Sequence, residues 1–196
     1  MKLLVATTNQ GKLRELKQLL EPLDLDVLGL DELDSPPTVI EDGTTFRDNA
    51  MKKALILARF SGFLTLADDS GLCVDVLDGA PGVFSARYAG ENAKDRENNS
   101  RLTRELRQTP LAARRAHFHC CIALAWPDGR CSTVGGQVDG LIIDEERGTN
   151  GFGYDPLFLV PEYGKTMAEL PAEIKNRISH RGRALQQLLP MIKEII

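Results

Sequence analysis

The sequence predicts an α/β fold, one domain spanning 1–196 with a mixed, twisted central β-sheet flanked by helices. Three observations predict it. The chain opens as strand, short polar segment and amphipathic helix; strand-like runs and helical runs then alternate; and no internal repeat, low-complexity tract or linker-like break divides the chain.

The first element is "KLLVATT", a short buried-strand pattern, followed by a tight polar loop "NQGK" and a helix "LRELKQLLEPL" with Leu13, Leu16, Leu19 and Leu20 at helical spacing. A second short strand lies near "DVLGL". A loop through "DSPPTVIEDG" leads into the helix "TTFRDNAMKKALILARFSG", which places Phe46, Ala50, Ala54 and Leu57 on one face and Lys52 and Lys53 on its polar side. "FLTLADD" and "GLCVDVL" predict two strands joined through Ser70-Gly71, and "DGAPGVFSARYAGE" an ordered loop. A polar amphipathic helix, "KDRENNSRLTRELRQT", precedes a hairpin from Ala116 to Val138 that turns at "PDG". Mixed strand and loop follow, then a last helix from about Ala172 to Glu194 that carries "ISHRG".

Composition narrows the function classes. With 42% hydrophobic and 27% charged residues the chain is an ordinary globular one, and a net charge of -4 gives no long-range attraction for nucleic acid or an acidic membrane. No run approaches the roughly 18 apolar residues of a membrane span, and the N-terminus turns polar after Ala6, too soon for a signal-peptide core. A cytoplasmic location is expected. Cys73, Cys120, Cys121 and Cys131 show no C-x-x-C spacing; vicinal Cys120 and Cys121 would point to opposite faces of a strand, so reduced core residues are expected rather than a zinc site.

Three segments carry candidate chemistry. In "ATTNQGK" the hydroxyls of Thr7 and Thr8, then Asn9, Gln10, Gly11 and Lys12, stand where a strand gives way to a helix, so free backbone N–H groups and the positive end of the helix dipole suit a phosphate. The same residues also suit a plain capped helix, and the segment lacks the spacing of a Walker A loop. In "LTLADDSGL" an apolar run ends in two adjacent carboxylates. Strand side chains alternate faces, so Asp68 and Asp69 cannot share one buried face, and two ionised acids there need a cation. Mg²⁺ takes one or two carboxylates with phosphate oxygens and water, which makes Glu41, Asp68 and Asp69 candidate ligands; an acidic turn is the competing reading. "GTNGFGYDP" offers flexible glycines with Phe152 and Tyr154 to stack on a flat ligand, or simply a tight turn packed on the core.

Taken in order, "ATTNQGK", "TTFRDNAMKKA", "ADDSGLCVDVLDGAPGVFSARYAG", "FGYDPLF" and "SHRGRAL" closely resemble the inosine triphosphate pyrophosphatase family, from Lys2 to about Leu189. The resemblance implies an elongated α/β protein with two lobes around a cleft. It also implies a homodimer that hydrolyses ITP, dITP and XTP to monophosphate and pyrophosphate with Mg²⁺, a house-cleaning activity on the nucleotide pool. By motif, Thr7 to Lys12 would hold the phosphates and Lys53 would add positive charge. Glu41 and Asp69 would hold or order the metal with Asp68 close by, Asp69 would be the base for the attacking water, and Ser70 would touch substrate. Phe152, Gly153, Tyr154, Asp155, Lys175, His180 and Arg181 would form the nucleoside pocket, with Arg181 donating to the 6-oxo group that separates inosine and xanthine from adenine. One departure stands out: Thr7-Thr8-Asn9 replaces the family's usual Thr-Gly-Asn.

Two rival readings are weighed. A Maf-type nucleotide pyrophosphatase is disfavoured by "SHRG" and "FGYDP". A nucleotide-sensing module without hydrolysis would have no need of a base at Asp69.

Overall fold

The computed structural model describes residues 1–195. Seven strands, β1 (Lys2–Val5), β2 (Asp26–Leu28), β3 (Leu64–Val74), β4 (Arg115–Ala125), β5 (Cys131–Ile142), β6 (Phe158–Val160) and β7 (Lys165–Thr166), form one sheet in the order β2-β1-β3-β4-β5-β6-β7. The sheet is mixed, as expected: β1 runs parallel to β2 and β3, whereas β6 is antiparallel to β5 and β7. Parallel neighbours need a crossover, and two helices supply it, α1 (Gln10–Leu20) between β1 and β2 and α2 (Phe46–Ser61) between β2 and β3. α3 (Asp95–Leu106), α4 (Ala172–Ile178) and α5 (His180–Ile195) complete the described elements used below.

The chain forms two compact units. The first contains Met1–Asp69, Cys120–Gly136 and the chain from Arg181 onward; the second contains Ser70–His119 and Gln137–His180. Strands β3, β4 and β5 contribute residues to both, which accounts for their 11 or 12 residues against the usual five or six.

In the first unit the strands alternate between two cores. Leu3, Val5, Leu64, Leu66, Cys120, Ile122 and Leu124 face Leu13, Leu16 and Leu20 of α1 and Ala184, Leu185 and Leu188 of α5. The alternate residues Leu4, Ala6, Ala67, Cys121 and Ala123 face Ala50, Ala54, Leu57 and Ala58 of α2. Small residues dominate that second face, so α2 lies close on the sheet. Cys120 and Cys121 fall on opposite faces and all four cysteines are free thiols, as their spacing implied. The second unit has its own core, in which Leu72, Val74, Phe118, Val138 and Ile142 of the sheet pack with Leu102 and Leu106 of α3 and with Tyr154, Leu157 and Phe158.

Three sequence expectations are corrected. "NQGK" is not a loop: Asn9 caps α1, its side chain accepting from the Lys12 amide, and Gln10 to Lys12 form the first turn. "FLTLADD" and "GLCVDVL" are not two strands. Ser70-Gly71 continues the strand as part of β3, which runs unbroken from Leu64 to Val74 because its place inside the sheet offers the backbone a strand partner in place of a turn. The long C-terminal helix is two helices, broken where Ser179 adopts an extended conformation, φ −65° and ψ 157°.

Candidate active site

The two adjacent aspartates sit well inside β3, and the alternation of the strand sorts them. Asp68 follows Leu64 and Leu66 in pointing toward α1 and α5; Asp69 follows Ala67 in pointing toward α2. Both carboxylates are buried, Asp68 completely. Each has therefore had to find different company.

Asp68 is surrounded by cations. Lys12 Nζ lies 2.9 Å from its Oδ1, and Arg181 Nε and Nη2 donate to its Oδ2 at 3.1 and 3.0 Å. The second side of the Arg181 guanidinium reaches Glu15 Oε2 at 2.5 Å, and the Cys120 thiol lies 3.4 Å from Asp68 Oδ2. Burial alone would raise the Asp68 pKa, yet Arg181 and Lys12 hold it well below the usual carboxylate range. By reciprocity, burial would lower Lys12 and Arg181, and Asp68 instead holds both above their ordinary values. The group is a charged network that joins α1, β3 and the first turn of α5. Arg181 is a cation at a helix N-terminus, where the dipole disfavours it, and the two carboxylates offset that cost.

Asp69 has the opposite character. Burial pushes its pKa up to about 6, Lys12 and Lys53 pull the other way, and Glu41 raises it further. Asn49 of α2 donates to its Oδ2 at 3.0 Å. Glu41, on the segment before α2, forms an ion pair with Lys53, whereas Lys52 pairs at the surface with Asp42. Lys53 rather than Lys52 is thus the lysine beside the acids.

The expected metal ligands divide accordingly. Among the described residues no three His, Cys, Asp or Glu side chains are placed to hold a metal ion on their own. Asp68, tied up by Lys12 and Arg181, does not fit the ligand role expected of it. Glu41 and Asp69 do fit: both offer hard oxygen, they lie near enough for the charge of Glu41 to raise Asp69, and a cation that takes one or two carboxylates and fills its shell from phosphate and water asks no more of the protein.

The segment expected to hold phosphate lies at the end of β1 and the first turn of α1. Thr7 is buried and its hydroxyl accepts from the Asn9 amide at 3.2 Å, while Thr8, Asn9 and Gln10 are exposed, and Gly11 and Lys12 follow in the first turn of α1. No acidic side chain occupies that turn, so the positive end of the helix meets solvent uncompensated by a negative charge of its own.

The other predicted residues lie in the second unit. Asp155 Oδ2 accepts from the Phe152 amide at 2.9 Å and from Lys175 Nζ at 2.6 Å, and the same ammonium stands 5.2 Å from the centre of the Phe152 ring. Gly151 makes this possible: at φ +83° it turns the chain, and a Cβ there would stand 2.1 Å from the Asp155 carboxylate. Two residues that the sequence reading passed over grip the next glycine. Asp95 accepts from the Gly153 amide at 2.7 Å, and Asn99 donates to the Gly153 carbonyl at 3.2 Å and to Glu146 at 2.8 Å. Tyr154 is a core residue instead of a stacking platform, its hydroxyl donating to the Ser85 carbonyl at 2.8 Å. His180 is buried and stacked on Phe118, centres 4.9 Å apart, and Ser70 continues β3 beyond Asp69. Neighbours in sequence, His180 and Arg181 serve different surroundings: the imidazole packs in the second unit, and the guanidinium lies in the first, held by Asp68 and Glu15. The Arg181 guanidinium, expected to face a base, donates here to Asp68 and Glu15.

Asn49 and Glu15 were also missed. Their spacing was available, since Asn49 precedes Lys53 by one helical turn and Glu15 follows Lys12 by three residues, but polar residues at such spacing line many solvated helix faces.

A helix N-terminus with no acidic side chain in its first turn, a buried Lys53, a partly buried Lys12 and an acid whose pKa burial raises to about 6 suit a phosphate-handling protein of the α/β class. The chain belongs to the Ham1 family, whose model matches residues 3–191. It is 55% identical over 187 residues to a dITP/XTP pyrophosphatase of Geobacter sulfurreducens, covering 95% of this chain and 94% of that one. It is 52% identical over 195 residues to one of Desulforamulus reducens, with 100% and 97% covered. Among solved structures, a HAM1 protein from Coxiella burnetii superposes with a TM-score of 0.89 at 43% identity, covering 99% of both chains. The expectations of this family and of an enzyme both stand.

Proposed function

We propose that this protein hydrolyses deaminated purine nucleoside triphosphates, ITP, dITP and XTP, to the monophosphate and pyrophosphate in a Mg²⁺-dependent reaction that clears them from the nucleotide pool. The observation that carries the reading is the contrast between the two neighbouring acids: Asp68 is kept ionised by Lys12 and Arg181, whereas burial keeps Asp69 at about 6, where a carboxylate can take up and release a proton near neutral pH. The high identity to relatives that bear the name dITP/XTP pyrophosphatase supports the substrate class.

The N–H groups at the start of α1, with Thr8 and Asn9 exposed beside them, bind the phosphate chain, and Lys12 and Lys53 set positive charge against it. Glu41 and Asp69 would hold magnesium, which when bound supplies further neutralisation of the triphosphate. Asp69 accepts the proton of the water that attacks between the α and β phosphates, and pyrophosphate leaves; no covalent intermediate is needed. Phe152, fixed by Lys175 and Asp155, offers the stacking face for the purine. The 6-oxo group, an acceptor where adenine carries a donor, is the feature that selects the substrate. A homodimer working in the cytoplasm, where the nucleotide pool lies, completes the proposal. Among the described residues no helix is long and apolar enough to cross a membrane.

The test is pyrophosphate release from ITP, XTP, dITP, GTP, ATP and dUTP with Mg²⁺. Turnover confined largely to the first three is expected. Equal kcat/KM on ATP would overturn the substrate assignment, and the absence of pyrophosphate from every nucleotide would overturn the reaction.

A further inference from the structure

Asn49 is the fourth residue of α2, in a helix that begins with the Thr45 cap, and only 1% of its surface is exposed. Both ends of its carboxamide are used. The amide nitrogen donates to Asp69 Oδ2 at 3.0 Å, and the carbonyl oxygen accepts from the Gly43 amide at 2.8 Å. This orientation is dictated by chemistry, because a carboxylate offers no proton and a backbone N–H offers no lone pair. Gly43 approaches so closely that a Cβ on it would stand 2.6 Å from Asn49 Oδ1. Gly43 lies two residues after Glu41, on the same segment. One buried side chain therefore ties the Asp69 carboxylate to the backbone that carries Glu41.

We infer that Asn49 is a positioning residue for the reaction: through Nδ2 it sets the orientation of the Asp69 carboxylate, and through Oδ1 it keeps the Glu41 segment in register with that carboxylate. The inference rests on the proposed role of Asp69 and adds a residue that acts through that carboxylate and through the segment carrying Glu41. A carboxylate on a strand has a free torsion about its terminal bond, and a fixed donor on one oxygen removes it. Misplacement of a reacting group by about 1 Å costs on the order of 100-fold in rate, so the effect of losing that donor belongs in kcat.

The experiment compares Asn49→Ala, Asn49→Asp, Asp69→Asn and the double variant Asn49→Ala/Asp69→Asn, with kcat and KM for dITP, thermal melting, and hydrogen exchange at the Gly43 amide. Asn49→Asp keeps the acceptor for Gly43 but loses the donor to Asp69. Both Asn49 variants are expected to lower kcat about 10- to 100-fold with KM within about threefold. Gly43 should remain protected in Asn49→Asp and exchange freely in Asn49→Ala. In the Asp69→Asn background, Asn49→Ala should cost clearly less than it does in the wild type, because the share of its effect that runs through Asp69 is gone and only the hold on the Glu41 segment remains to be lost. A wild-type kcat in Asn49→Asp, or a full additional loss in the Asp69→Asn background, would overturn the inference. Should Asn49→Asp fail to fold, the cycle built on Asn49→Ala decides alone. Wild-type turnover in Asp69→Asn would instead remove the base assignment itself, an outcome distinct from either.

Discussion

Asp69, the base of the proposed reaction, is a buried acid that costs stability when it ionises. Its folded pKa, about 6, lies above the ordinary value of 3.8. The sign follows: the folded state holds that proton more tightly than the unfolded chain, so the contribution is fully present below about pH 4 and is lost as the pH rises through 6. In metal-free buffer Asp69→Asn should therefore be more stable than wild type at pH 8, by up to about 3 kcal/mol, and the advantage should vanish as the pH is lowered toward 4. Urea denaturation of both proteins in chelator across that range checks this, and equal stability at pH 8 would contradict the buried-acid reading. Asp68 behaves in the opposite sense. Its depressed pKa contributes stability that is present above about pH 4 and lost on further acidification. Arg181, which holds it down, is a structural cation. Arg181→Ala leaves the carboxylates of Asp68 and Glu15 buried without their partner, and should destabilise the fold by about 3–5 kcal/mol. In whatever fraction remains folded, ITP and ATP should slow by similar factors; selective loss of ITP turnover would restore Arg181 as a base-reading residue.

At the scale of elements, the first two turns of α3 bond to the segment proposed to meet the nucleoside. Asp95 and Asn99, one helical turn apart, hold the N–H and the carbonyl of Gly153, next to Phe152. Asn99→Ala leaves the Gly153 carbonyl and Glu146 without that donor, and a cost of about 1–2 kcal/mol is expected. Its local signature is more telling than its magnitude. Hydrogen exchange in residues 150–155 should accelerate in Asp95→Ala, while the first turn of α1 stays unchanged, and KM for dITP should rise more than kcat falls. Unaltered exchange around Gly153 would show that Lys175 and Asp155 hold the segment without help from α3. The α1 turn makes the complementary case. Lys12→Ala removes a cation from Asp68 and from the phosphate site together, so it should slow every nucleotide by a similar factor and leave the ITP to ATP ratio intact.

For the whole molecule, two units with separate cores place the charge network around Asp68 and the aromatic segment around Phe152 in different hydrophobic settings. Glu41 and Asp69, the carboxylates proposed to hold magnesium, both have protein partners, and the cores are built from apolar side chains. Chelation with EDTA should accordingly abolish pyrophosphate release while far-UV circular dichroism and the melting temperature change little. Full turnover in excess chelator would eliminate the magnesium proposal.

The sequence alone determined the class of fold, most of its strands and helices, and the family. It could do so because those features are written in local periodicity and in ordered motifs, as in the alternating "LTLADD" run and the Asn9 cap. Which partners each aspartate meets was decided only by tertiary structure. Adjacent acids look equivalent in a string, and they part because the pleat of β3 turns one toward Lys12 and Arg181 and the other toward α2. The same holds for Arg181, which a motif places beside a nucleobase and the fold places between two buried carboxylates. It holds too for the Ser70-Gly71 turn that became strand and for Asn49, Asp95 and Asn99, whose partners lie 6 to 58 residues away. Charge pairing and burial are properties of distance in space, and a pKa is decided by both; neither is encoded at the short range over which a sequence can be read directly.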